Sequence, residues 1–72
     1  MKDLKDLIIA ELKKKGVNFK KSWYELTGSQ QSDISDYCKQ AKYKRPKSNM
    51  SSASTSHLFY NSLQRHLNRK KK

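Results

Sequence analysis

Apolar residues return along this chain at helical spacing. Between Lys2 and Lys15, Leu4, Leu7, Ile8 and Leu12 form one stripe, the one-sided pattern of an amphipathic helix. Asp3 and Asp6 lie in its first turn and Lys13 to Lys15 in its last, as the helix dipole favours, and Gly16 supplies a stop. Asn18 can cap a second, short helix in which Phe19, Trp23 and Leu26 share a face, closed by Gly28. Ser22 with Glu25 is a competing capping box one turn later. The stretch Gly28 to Lys47 predicts a third helix, with Ile34, Tyr37, Cys38 and Ala41 at i, i+3, i+4 and i+7. Thr27 and Gln30 offer its capping box, Ser29 and Ser32 are alternative caps, and Pro46 biases Arg45 away from helix.

Residues 47–56 are Ser-rich, polar and aperiodic, which predicts a loop. A final helix is expected from about His57 to Asn68, capped by Ser54, Thr55 or Ser56, with Phe59, Leu63 and Leu67 on one face and Leu58 and Tyr60 beside them. A strand from Ser56 to Leu63 is the rival reading. The like-charge block Arg69 to Lys72 is expected to be a disordered basic tail. The pattern predicts a single all-α domain over residues 1–68, with three or four short helices in a helix-turn-helix-like arrangement. Its core is expected to be drawn from these stripes, with Leu4, Leu7 and Trp23 among its members. A winged helix with a small C-terminal hairpin is the runner-up.

Charge changes the picture more than length does. The 72 residues carry a formal net charge of +11, which attracts polyanions. Residues 1–36 hold seven basic and six acidic side chains, whereas residues 37–72 hold ten basic and none acidic. A chain this short has a marginal core, so a homodimer or a bound partner could add to its stability. One cysteine, Cys38, excludes an internal disulfide framework and fits a reducing cytoplasm. No apolar run is long enough for a membrane span or a signal-peptide core. Lysine outnumbers arginine fourteen to three, which is associated with AT-rich sources such as phages and plasmids.

The span Trp23 to Ser35, WYELTGSQQSDIS, resembles a helix-turn-helix DNA-binding core, with Trp23 opening the pattern, Gly28 at the turn, and Gln31, Ile34 and Ser35 in the second helix. It departs from the motif at Tyr24, where a small residue is usual, and at Ser29, where an apolar one is. The resemblance implies that the second helix presents its N-terminal polar residues to base edges in the major groove. Gln30 and Gln31 are then the expected base readers, because a Gln amide can bond adenine N6 and N7 together, with Ser35 beside them. Lys39, Lys42, Lys44, Arg45 and Lys47 are the expected phosphate contacts, joined by Arg65, Arg69, Lys70, Lys71 and Lys72. Trp23 and Tyr24 have the chemistry to stack on bases, but a lone Trp in so small a chain reads first as core.

Catalytic chemistry has little support. His57 and His66 are nine positions apart and have no Cys or carboxylate close in sequence to complete a metal site. Cys38 lies on the apolar stripe, and the carboxylates lack a paired acid/base setting. No enzyme, metal or cofactor is expected. The leading expectation is a small nucleic-acid-binding protein, with a DNA-binding transcriptional regulator as its most specific form and DNA favoured over RNA. The alternatives are a regulator that docks on an acidic protein partner and an RNA- or ribosome-binding protein.

Overall fold

The computed structural model describes residues 3–45 and 54–70. They form three α-helices, α1 (Leu4–Lys14), α2 (Gly28–Gln40) and α3 (Thr55–Lys70), with one turn of 3-10 helix at Trp23–Glu25 between α1 and α2. The all-α class follows. There is no strand among the described residues, so neither the strand expected at 56–63 nor the wing forms there.

α1 and α2 end alike. The N–H of Gly16 bonds to the Lys13 carbonyl at 3.0 Å and that of Val17 to the Leu12 carbonyl at 3.0 Å. At the end of α2, Lys42 N–H reaches Lys39 at 3.1 Å and Tyr43 N–H reaches Cys38 at 3.2 Å. Each is a Schellman ending, which needs a left-handed residue just past the helix. Gly16 takes that conformation at φ +93 without steric cost, whereas at the second site a lysine, Lys42, takes it at φ 55. Gly28, expected at a turn, instead opens α2 and is not among the positive-φ residues.

The start of α2 is as the sequence predicts. Thr27 Oγ1 accepts from Gln30 N–H at 3.2 Å, and Gln30 Oε1 accepts from Thr27 N–H at 3.3 Å. Its end is earlier than the Pro46 signal implied. The chain leaves the helix at Ala41 so that the Tyr43 ring can pack on Phe59, with centroids 5.3 Å apart. α3 starts two residues before the expected His57, with Ser54 Oγ accepting from His57 N–H at 3.2 Å. It also runs through Arg69 and Lys70, so that part of the expected disordered tail is helical. Residues 46–53, including Pro46, Lys47 and most of the Ser-rich loop, lie outside the described residues, as do Lys71 and Lys72.

The segment from Asn18 to Leu26 is the largest departure. The helix expected from Asn18 does not form, and the 3-10 turn starts at Ser22, whose N–H donates to the Glu25 carboxylate at 2.8 Å. Without a helix, Val17, Phe19 and Leu26 all still reach the core, which they share with Ile8, Ile9, Leu12, Ile34, Cys38, Phe59, Tyr60 and Leu63. Leu4 and Leu7, expected inside, are 56% and 50% exposed. Trp23 is half-buried against the core edge, stacked on His57 at 5.6 Å, while Tyr24 is 78% exposed.

Without a helix, this segment has one local turn bond, from Lys21 N–H to the Asn18 carbonyl at 3.1 Å, and α3 brings further donors to the carbonyls of Asn18, Phe19 and Lys21. The Tyr60 hydroxyl lies within bonding distance of the carbonyls of Asn18, at 3.1 Å, and Lys21. Gln64 Nε2 donates to the carbonyls of Phe19 and Lys21, both at 2.9 Å. Tyr60→Phe keeps the packed ring and removes the hydroxyl, so unfolding free energy should fall by about 1–2 kcal/mol, read as a drop of several degrees in Tm. Burial holds the Tyr60 phenol above its ordinary value, partly offset by the Gln64 hydrogen bond. The unfolded chain therefore loses this proton first. The contribution of Tyr60 is full below about pH 10, the unfolded value, and is lost as pH rises through the higher folded value. Melts of Tyr60→Phe should decline less steeply above pH 10 than those of the parent chain. An equally steep alkaline decline would exclude Tyr60 as its source.

Candidate functional site

The two glutamines expected to read bases are committed elsewhere. Gln30 closes the Thr27 capping box and also donates from Nε2 to the Gly16 carbonyl at 3.0 Å, tying the exit of α1 to the entry of α2. Gln31 Nε2 donates to the Trp23 carbonyl at 2.9 Å, holding the 3-10 turn. Both are half-buried, as is Ser35. In place of the first helix of the helix-turn-helix pattern stands that single turn. Replacing Gln30 or Gln31 with Ala should therefore cost about 0.5–1.5 kcal/mol in denaturant unfolding. Unchanged stability in both variants would return their amides to the role of free readers.

The cations expected on and after α2 are exposed, but they do not form one helical face. Lys39 is in the last turn of α2, Lys42 is the left-handed residue, and Lys44 and Arg45 follow in non-helical backbone. The acids of α2 dilute this group. Asp36 is exposed one turn before Lys39, and Asp33 is 3.7 Å from Lys15 Nζ. The left-handed cost at Lys42 can be relieved. Lys42→Gly should raise stability by up to about 1 kcal/mol, a gain that a chemical-denaturation midpoint would register and whose absence would show that the lysine side chain compensates.

α3 contrasts with α2. It contains no Asp or Glu, buries Phe59, Tyr60 and Leu63, and turns Arg65, Asn68 and Arg69 to the surface. A recess of about 760 Å³ separates it from the loop after α1, with Lys13, Lys20 and Arg65 as its cations and Asn61, Gln64 and Asn68 among its amides. A second recess, of about 420 Å³, is lined by Lys5, Ser62, Arg65, His66, Asn68 and Arg69. Neither has an acidic residue in its lining. Lys5, Lys13 and Lys20 come from the half of the chain whose net charge is small, so only folding reveals them as part of a basic surface.

Near the second recess, His66 Nε2 lies 2.8 Å from Asp6 Oδ1, with both side chains largely buried. Asp3 also lies close, each of the three residues offering one ligand atom within 4.8 Å of the others. Sequence separation hid this cluster, since Asp6 and His66 are 60 positions apart. Lys5 and Arg69 share an adjoining recess with Asp3 and His66 and offset the carboxylates. The group ties the first turn of α1 to the last turns of α3.

Cys38 is buried, and desolvation pushes its thiol up, away from thiolate reactivity. Glu25 is held below the ordinary carboxylate range by the Ser22 backbone N–H and then the Ser22 hydroxyl. Every buried side-chain nitrogen or oxygen among the described residues has a partner. No helix among them is long and apolar enough to cross a membrane. No protein family, curated protein or solved structure matches this chain.

Proposed function

We propose that this chain is a small nucleic-acid-binding protein, with a DNA-binding regulator as the most specific form of that reading. The observation that carries it is the one-signed surface: after Asp36 the chain has ten basic residues and no acid, and Lys39, Lys42, Lys44, Arg45, Arg65 and Arg69 are all exposed. Side chains of one sign on a small surface repel one another, and a polyanion relieves that repulsion while releasing its counterions. Contact with about five to eight phosphates implies a slope of log K against log salt of roughly −4 to −7 on duplex DNA. Fluorescence anisotropy between low and physiological salt measures it, and a flat titration rejects the reading.

A second reading, a regulator that docks on a protein, is favoured by one feature. The exposed Leu4 and Leu7 line a recess with Tyr37 and Ala41, apolar surface of the kind that protein partners cover. Replacing Leu4 and Leu7 with Ser should leave nucleic-acid binding unchanged. It should abolish any nuclease-resistant complex formed through this recess.

A further inference from the structure

Resting on the nucleic-acid reading, we infer that α3 rather than α2 is the element that enters the duplex, with Arg65 and Asn68 as base readers and a phosphate-binding recess on either side. Arg65 and Asn68 line both recesses, so they stand on the ridge between them. Asn61, Arg65 and Asn68 follow at i, i+4 and i+7, and Ser62, Arg65 and Arg69 at i, i+3 and i+7, two adjacent stripes on the side of α3 away from Phe59, Tyr60 and Leu63. Lys13 and Lys20 lie in the recess on one flank, and Lys5 and Arg69 in that on the other.

This layout matches the chemistry of a major groove, with hydrogen-bonding base edges in the middle and a phosphate strand along each side. An α-helix fits the B-DNA major groove, which is about 12 Å wide, and the 16 residues of α3 span about 24 Å. Arg can bond guanine O6 and N7 together, and Asn can bond adenine N6 and N7. The major groove of A-form RNA is too narrow to be read this way, so the occupant is duplex DNA. α2 is the poorer candidate on the same criteria. Its first-turn glutamines hold backbone carbonyls. Gln64, although on α3, is likewise committed to the loop and is not a reader.

The test uses the full chain with three labelled 20-mers of one mixed sequence pool: duplex DNA, duplex RNA and single-stranded DNA. Lys13→Gln with Lys20→Gln, and Lys39→Gln with Lys44→Gln, each remove two exposed charges, and circular dichroism checks that both remain helical. On duplex DNA the first pair should make the salt slope shallower by about 1.8, at 0.9 per lost phosphate contact, and the second should change it by less. Site selection from the duplex pool should yield a preferred sequence with the parent chain. Arg65→Gln with Asn68→Ala should lose that preference by roughly 5- to 150-fold per base contact, matching about 1–3 kcal/mol each. The inference is overturned if the Lys39/Lys44 pair changes the slope as much as the Lys13/Lys20 pair or more, if RNA or single strands bind more tightly than duplex DNA, or if selection gives no preferred sequence. Absence of salt-dependent binding to all three probes instead rejects the nucleic-acid reading itself.

Discussion

Three peptide carbonyls, those of Asn18, Phe19 and Lys21, organise much of this fold. They belong to a segment that makes neither helix nor strand, where peptide carbonyls need donors beyond the one turn bond, from Lys21 N–H to Asn18 at 3.1 Å. Tyr60 and Gln64, on successive turns of α3, meet that need across 39 to 45 positions of sequence. Val17, Phe19 and Leu26 enter the core from outside any helix, and the Phe19 ring stacks on Tyr60 at 5.5 Å. The larger basic recess exists only in the docked state, because one of its walls is this loop and the other is α3.

How legible each element was depends on whether its signal was local. α1, the Thr27 capping box and the presence of a C-terminal helix are set by residues within a few positions of one another, and all three were readable. The segment from Asn18 defies its apolar spacing, which fits a helix, because the same residues reach the core from a turn and a 3-10 turn whose carbonyls α3 bonds. Tyr60 read only as a flanking residue, although its side chain is fully buried. Its value lies in the hydroxyl as much as in the ring, and an apolar stripe does not register a hydroxyl. Leu4 and Leu7 erred the other way. The stripe places them on one helical face, but the recess they line with Tyr37 and Ala41 is unfilled, so about half of each remains exposed.

The glutamines illustrate the same limit at the candidate site. A sequence can show that an amide stands at the start of a helix, but not whether a neighbouring carbonyl will claim it. Gln30 and Gln31 are claimed by Gly16 and Trp23, 14 and 8 positions away. The exposed amides of α3 became candidates only when Gln64 was seen to be engaged and Asn68 to stand between two recesses.

Charge counting by halves misses part of the basic surface for a related reason. The first half has nearly as many acids as bases, but folding sorts them. Asp6 meets His66, Glu11 lies 3.9 Å from Lys14, Glu25 accepts from Ser22, and Asp33 approaches Lys15. None of these four carboxylates lines either recess beside α3, whereas Lys5, Lys13 and Lys20 do. Coulomb attraction acts through the distances of the folded surface and is screened within about 8 to 10 Å at ordinary salt. A phosphate beside Arg65 would therefore respond to Lys13, Lys20 and Arg69 far more than to the sum over either half. A surface with a small share of the total charge can bind a polyanion strongly when its acids face elsewhere.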